Sequence, residues 1–429
     1  MEKIVVNGGT PLRGSVEISG MKNAALPIIY ASILVRDKCV IENIPNVSDV
    51  SHSLDLLRSM GATIRTVGKN AVEIDCTDIR QGSAPYELAR KMRASYYLFG
   101  AELGRFHTAH APLPGGCDFG VRPIDQHIKG FESLGAEVKI ENGCIDIQTP
   151  HGICGSNIFF DVVSVGATIN MMLAATLTPG LTTIDNPAKE PHIVDLANFL
   201  NTCGAQIRGA GTDMIKIRGV DHLHGCHYAI IPDMIEAGTY MIAAAATAGT
   251  VRINNVIPKH LESITAKLQE MGATVVEDDD FVIVSSTGSL GRTNIKTLPY
   301  PGFPTDMHPQ MSVLLCAASG VSTVTEGVFE TRFRYVDELR RMGASIKVNG
   351  RTAIIQGGAK LSPAPVRAVD LRAGVALVIA GLMTEGETEI SDIELIERGY
   401  DDLIGKLRNL GASIRKVYVA DEEELKKAN

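Results

Sequence analysis

The most reactive side chain in this sequence sits in a glycine-rich stretch, Pro114-Gly115-Gly116-Cys117-Asp118-Phe119-Gly120-Val121-Arg122-Pro123. Its glycines give backbone freedom and let main-chain N–H groups come close to a ligand. The guanidinium of Arg122, five residues after Cys117, would favour thiolate over thiol. In a loop that can reach a ligand, Cys117 could then act as a proton donor or a nucleophile near neutral pH. The competing reading is a connecting loop whose cysteine is incidental.

Elsewhere the chain supplies fixed cations at Lys22, Arg93, Arg332, Arg372 and Arg398, with two acids among them, Asp306 and Asp370. Such cations suit phosphate and carboxylate groups, and Arg suits bidentate contacts. Each one taken singly is equally a surface ion pair or a helix cap. Asp306, after Pro304-Thr305, and Asp370, two residues before Arg372, are either N-caps or general bases placed against a substrate hydroxyl. There is no Walker loop, no dinucleotide GxGxxG, no HExxH and no Ser-His-Asp pattern. Transfer chemistry driven by fixed cations, with neither metal nor cofactor, is what remains.

One phrase recurs six times and shows how these residues are positioned. It reads Met60-Gly61-Ala62, Leu134-Gly135-Ala136, Cys203-Gly204-Ala205, Met271-Gly272-Ala273, Met342-Gly343-Ala344 and Leu410-Gly411-Ala412, spaced 68 to 74 residues apart. Each phrase follows an amphipathic stretch such as Leu54-x-x-Leu57-x-x-Met60 and precedes an alternating one. That is a helix closed by a C′ glycine and then a strand. Upstream in each unit lies a second helical segment of Ala, Gly, Leu and Ile, buried on most sides: 23–34, 92–103, 165–177, 235–248, 307–318 and 371–382. The candidate residues fall at the starts of these buried helices or in the loops before the outer ones. With six related units, all would lie at one end of their domains, beside helix N-termini that favour anions.

At 429 residues the chain should form two or three domains. It carries 45% hydrophobic and 21% charged residues, and no apolar run is long enough to span a membrane. The opening Met1-Glu2-Lys3-Ile4-Val5-Val6 reads as a strand rather than a signal peptide, an expectation of a cytoplasmic protein. Eight scattered cysteines without CxxC or metal spacing fit a reducing compartment and no structural disulfide. A net charge of −8, no basic run and no Trp argue against a nucleic-acid partner. The acidic tail, Asp421 to Glu424, is read as a solvated end.

The chain resembles the UDP-N-acetylglucosamine 1-carboxyvinyltransferases, a family of enolpyruvyl transferases, from about residue 3 to residue 416. The phrases that carry the likeness are Gly20-Met21-Lys22-Asn23-Ala24-Ala25-Leu26-Pro27, Lys91-Met92-Arg93-Ala94-Ser95, Leu113-Pro114-Gly115-Gly116-Cys117, Arg122-Pro123-Ile124-Asp125-Gln126-His127, Ser164-Val165-Gly166-Ala167-Thr168, Pro301-Gly302-Phe303-Pro304-Thr305-Asp306, Asp370-Leu371-Arg372-Ala373 and Glu397-Arg398-Gly399-Tyr400. The resemblance implies an α/β fold, a two-domain inside-out α/β barrel of six βαβαββ-like units with the active site in the interdomain cleft. The domains would be 21–229, and 1–20 plus 230–429, the latter closed by both termini.

It also implies that phosphoenolpyruvate and UDP-N-acetylglucosamine react by addition and elimination to the 3-O-enolpyruvyl product and phosphate, opening peptidoglycan synthesis. In that reading Lys22, Arg122 and Arg398 hold the phosphate, and Arg332, Arg372 and Arg398 the carboxylate side. Asn23 and Asp306 engage the sugar, Asp306 as the base. Arg93, Arg122, Pro123, Ile124, Asp125, Gln126, Ser164, Val165 and Val328 border the nucleotide-sugar. Cys117 is the loop acid and the target of fosfomycin, and Asp370 a second proton-handling acid.

The chain departs from the family pattern at Asn46, Ser48, Val162 and Met234, where other members carry basic residues, and at Thr331 and Tyr335. Those departures leave room for a catalytically silent paralogue that binds nucleotide-sugar in a regulatory role. The other rival is the sister enzyme acting on shikimate 3-phosphate, which lacks the Pro-Gly-Gly-Cys loop present here.

Overall fold

The computed structural model describes residues 2–82, 84–89, 92–113 and 123–418. Cys117, Arg122 and the acidic tail lie outside the described residues. Contacts divide the chain into two units, Gly20–Ile231 on the one hand and Met1–Ser19 with Pro232–Asn429 on the other.

The apolar segments form helices at Lys22–Ala31, Tyr97–Phe106 and Val165–Thr176 in the first unit, and at Met234–Ala246, His308–Ala317 and Leu371–Met383 in the second. Leu371 to Leu382 are buried without exception. Segments this poor in charge are stable as helices only when neighbours cover every face. Small residues permit that. A Cβ added to Gly100 would meet the backbone oxygen of Asn170 at 2.3 Å, and the Gly100 amide donates to the Asn170 side chain at 2.7 Å.

Two of the six expected helices are entered differently. Arg93–Tyr96 and Thr305–Met307 are tight 3-10 turns that lead into Tyr97 and His308. Prolines explain the second case, because Pro304 precedes the turn and Pro309 occupies the first turn of the helix proper.

The outer helices, Ser48–Ser59, Asp125–Ser133, Pro191–Thr202, Glu262–Glu270, Val336–Arg341 and Leu403–Asn409, share one ending. Gly61, Gly135, Gly204, Gly272, Gly343 and Gly411 all take positive φ, between 91° and 109°. The following alanine amide then reaches back five residues, as from Ala62 to Leu57 at 3.0 Å and from Ala412 to Leu407 at 3.0 Å. This double reversal frees the chain to turn directly into a strand.

The strands form three sheets in each unit, with one face buried and the other open, as in Cys144–Gln148. The helices are therefore innermost. In the second unit Glu2–Gly8 lies between Gly386–Ser391 and Ser413–Tyr418. The strands next to each crossing pair within their own units: Arg13–Glu17 with Thr250–Asn254, and His227–Ala229 with Lys38–Glu42. No helix among the described residues is long and apolar enough to cross a membrane.

Gly100→Ala should lower thermal stability markedly, by about 1–3 kcal/mol, because backbone must move to admit the methyl. Gly291→Ala, whose Cβ would meet only the Met271 oxygen at 3.7 Å, should stay within about 0.5 kcal/mol of the parent. Thermal unfolding of both variants by circular dichroism checks the contrast.

Candidate functional site

The candidate residues of unit Gly20–Ile231 gather at the starts of its inner helices. Lys22 opens the first helix with no side-chain cap. Its ammonium lies 3.1 Å from Asp49, which opens the outer helix Ser48–Ser59, and both side chains are buried. Next to it, Asn23 is half-buried.

Three other segments meet around one aromatic ring. Arg93 stands over Tyr96, with 5.5 Å from guanidinium to centroid. Tyr96 meets the imidazole of His127 edge-on at 5.2 Å. A Cβ on Gly166 would lie 2.4 Å from Tyr96 and 2.8 Å from His127. Ser164 caps this third helix, accepting from the Ala167 amide at 3.3 Å, and Val165 follows it half-buried. Pro123 and Asp125 are exposed, Ile124 is half-buried, and Gln126 is buried. Gln126 takes the Asp161 amide at 3.0 Å and donates to Asp125 at 2.8 Å. Burial, with Arg93 adding to it, pushes the His127 imidazole down to about 3, so it is neutral.

In the other unit the centre is a carboxylate held by two guanidiniums. Asp306, on the Thr305–Met307 turn, lies 3.0 Å from Arg332 through Oδ1 and 3.1 Å from Arg372 through Oδ2. Both arginines are almost wholly buried, and Asp306 keeps 28% of its side chain open. Arg372 stacks on Tyr400 at 5.2 Å, and Arg332 stands 5.3 Å from the Phe329 ring. The Nη1 of Arg372 has no hydrogen-bond partner among the described residues. Asp370 caps the helix that carries Arg372, accepting from the Arg372 and Ala373 amides at 2.8 and 2.9 Å. Its capping role, left open by the sequence, is therefore realised. Arg398 is half-buried just after Glu394–Glu397, and Val328 is exposed.

A buried relay supports this clamp, and sequence reading missed it. Arg332 donates to Thr305 at 3.1 Å, and Thr305 donates to Glu326 at 2.9 Å. Glu326 also accepts the Val328 and Phe329 amides at 2.7 and 3.0 Å and lies 3.1 Å from His308. His308 in turn meets the Tyr335 hydroxyl at 3.0 Å. Burial alone would raise Glu326, but His308 and the two amides outweigh it and hold its carboxyl at about 2. Burial keeps His308 below its usual value. No sequence motif marks Glu326, since its neighbours in space come from 305, 308 and 328–332.

The ion-pair reading offered for each cation is met at three of them. Lys22, Arg332 and Arg372 already face carboxylates of their own units, because charges this buried need partners. Cys117 and Arg122 lie outside the described residues.

The family model of EPSP synthase (3-phosphoshikimate 1-carboxyvinyltransferase) matches residues 6–407. A UDP-N-acetylglucosamine 1-carboxyvinyltransferase of Clostridium botulinum is 59% identical over 415 residues, 96% of this chain and 99% of its own length. A UDP-N-acetylglucosamine 1-carboxyvinyltransferase 2 of Geobacillus kaustophilus is 53% identical, with 99% and 98% covered. Among solved structures, the enolpyruvyl transferase NikO from Streptomyces tendae matches with TM-score 0.89 at 25% identity, covering 98% and 99%. EPSP synthase from Acinetobacter baumannii matches with TM-score 0.77 at 18% identity, covering 97% and 100%, a likeness of fold. Full-length identity at this level places the chain in the enolpyruvyl transferase family, among the UDP-N-acetylglucosamine 1-carboxyvinyltransferases.

Proposed function

We propose that this chain transfers the enolpyruvyl group of phosphoenolpyruvate to the 3-hydroxyl of UDP-N-acetylglucosamine, with release of phosphate, as the first committed step of peptidoglycan synthesis. The observation that carries this is identity of 50–59% over nearly the full length to enzymes of that name. The same relatives disfavour shikimate 3-phosphate as acceptor. A silent paralogue would have no use for a carboxylate clamped at the mouth of a helix with its solvent side open.

The reaction divides into steps that these residues suit. A proton adds to the methylene carbon of phosphoenolpyruvate while the sugar hydroxyl, losing its proton to Asp306, attacks the neighbouring carbon. The tetrahedral ketal then loses phosphate and a methyl proton, which restores the double bond. Cys117 or Asp370 supplies and removes the carbon-bound proton. Lys22, Arg122 and Arg398 carry the phosphate as negative charge builds on it, and Arg332 and Arg372 the carboxylate. Asn23 engages the sugar. Arg93, Pro123, Ile124, Asp125, Gln126, Ser164, Val165 and Val328 border the nucleotide-sugar. Fosfomycin would alkylate Cys117. The protein would act in the cytoplasm, where both substrates are made.

Phosphate release from phosphoenolpyruvate should require UDP-N-acetylglucosamine and stop after fosfomycin, with one adduct on Cys117 by mass spectrometry. Release without the sugar, or none while the sugar binds, would overturn the reading. Asp306→Asn should lower kcat by roughly 10²–10⁴ with nucleotide-sugar affinity little changed. Glu326→Gln acts instead through the Arg332 relay. It should raise the KM for phosphoenolpyruvate about tenfold, the scale of one disturbed buried bond, with a smaller effect on kcat. Steady-state kinetics against each substrate separates the two patterns.

A further inference from the structure

Three cysteines far apart in sequence, Cys39, Cys203 and Cys226, meet in unit Gly20–Ile231 with their Sγ atoms all within 4.8 Å of one another. Those of Cys203 and Cys226 are 3.3 Å apart. We propose that this trio is a binding site for a thiophilic d10 metal ion of the Zn²⁺ class. The sequence showed no metal spacing because the three ligands come from three separate elements.

The geometry is that of a chelate formed before the ion arrives. A Zn–S bond of about 2.3 Å places thiolates about 3.8 Å apart around a tetrahedral ion and about 4.0 Å apart around a trigonal one. The observed cluster needs only a small adjustment to reach either. Backbone bonds hold it in place. Cys39 lies in strand Lys38–Glu42, and the Val40 amide beside it donates to the Cys226 oxygen at 2.8 Å. Cys203 ends helix Pro191–Thr202, and its oxygen accepts the His224 amide at 2.9 Å. The Gly225 amide, next to Cys226, is fixed to Asp37 at 3.0 Å.

Exposure is graded in the way an entry path requires. Cys39 and Cys203 are wholly buried, and Cys226 is half-buried. An ion would enter on the Cys226 side and take its fourth ligand from solvent there. Soft thiolate donors select such ions over Mg²⁺ or Ca²⁺. All three thiols are free and no disulfide joins them. On binding, each thiol gives up its proton to solvent as its sulfur takes the ion.

Within its own unit the site lies at the other end of the first helix from Lys22. Cys39 follows the end of helix Lys22–Ala31, and Cys203 caps the C-terminal end of its own helix. Lys22 opens helix Lys22–Ala31, and a ten-residue helix separates its ends by about 15 Å. The ion would instead join the first strand of the unit to its last, His227–Ala229, and to the third outer helix. It would stabilise the unit by mass action.

The test uses the full chain, reduced and stripped of metal, with Cys117→Ser as background so that the loop thiol cannot contribute. Zn²⁺ is titrated against a chromophoric chelator, and Cd²⁺ is followed by its thiolate charge-transfer absorbance. One ion should bind per chain, and melting temperature should rise with added Zn²⁺. Cys226→Ser should lose on the order of 100-fold or more in affinity, and Cys154→Ser should lose none. In the parent chain, Cys226→Ser should leave enolpyruvyl transfer within about twofold, because no catalytic group is touched. If Cys226→Ser melts far below the metal-free parent, Cys39→Ser serves as the second ligand variant. Failure of the reduced chain to bind one Zn²⁺, or binding that survives loss of Cys226 and of Cys39, would overturn the assignment whatever the activity assay shows.

Discussion

Two guanidiniums nearly excluded from water set the terms for one end of unit Met1–Ser19 with Pro232–Asn429. Arg332 and Arg372 each need a negative partner, and Asp306 serves both with one oxygen apiece. A buried charge that loses its partner costs far more than the pair contributes when intact. The surroundings therefore have to hold three side chains at once. The 3-10 turn at Thr305–Met307 brings Asp306 in, the cap at Asp370 fixes the first turn carrying Arg372, and Glu326 anchors Arg332 through Thr305.

Precision of that kind requires a frame that does not yield. Helices made of Ala, Gly, Leu and Ile pack backbone to backbone in the interior, and one-sided sheets surround them. Close-packed interiors transmit displacement rather than absorb it. The helix N-termini where the candidate groups sit are thus fixed by contacts along the whole helix. The pairing of Arg13–Glu17 and of His227–Ala229 ties the chain into a sheet of its own unit just before each crossing.

What the sequence disclosed follows from how local each signal is. The Gly-Ala phrase encodes a helix end within six residues: glycine for positive φ, alanine for the amide that reaches back. Six copies therefore exposed the whole six-unit plan. Lys22, Asp306 and Arg372 stood out because charge at the start of an apolar helix is anomalous wherever the partner lies. Glu326 and His308 looked like ordinary residues of a strand end and a helix, because their meaning arises only from contacts across more than one segment. The Asp49 partner of Lys22 and the His127–Tyr96–Gly166 contact were hidden in the same way. Even the capping of Asp370 could be offered only as one of two readings, since a cap and a catalytic acid use the same residue at the same position.

The clamp also bears on how a base could work here. A carboxylate accepts protons and hydrogen bonds through the same two oxygens, and each oxygen of Asp306 is held by one arginine. An anion that offers the guanidiniums a better partner would loosen that hold. The buried Nη1 of Arg372 has no hydrogen-bond partner among the described residues, and Arg332 is held by Thr305 as well as by Asp306. In the proposed reaction, arrival of a carboxylate at the arginines would weaken the bonds that hold Asp306. The Glu326 relay would hold Arg332 in place through Thr305 during that exchange. In the proposed reaction, the same clamp would restrain the base until the second substrate is bound.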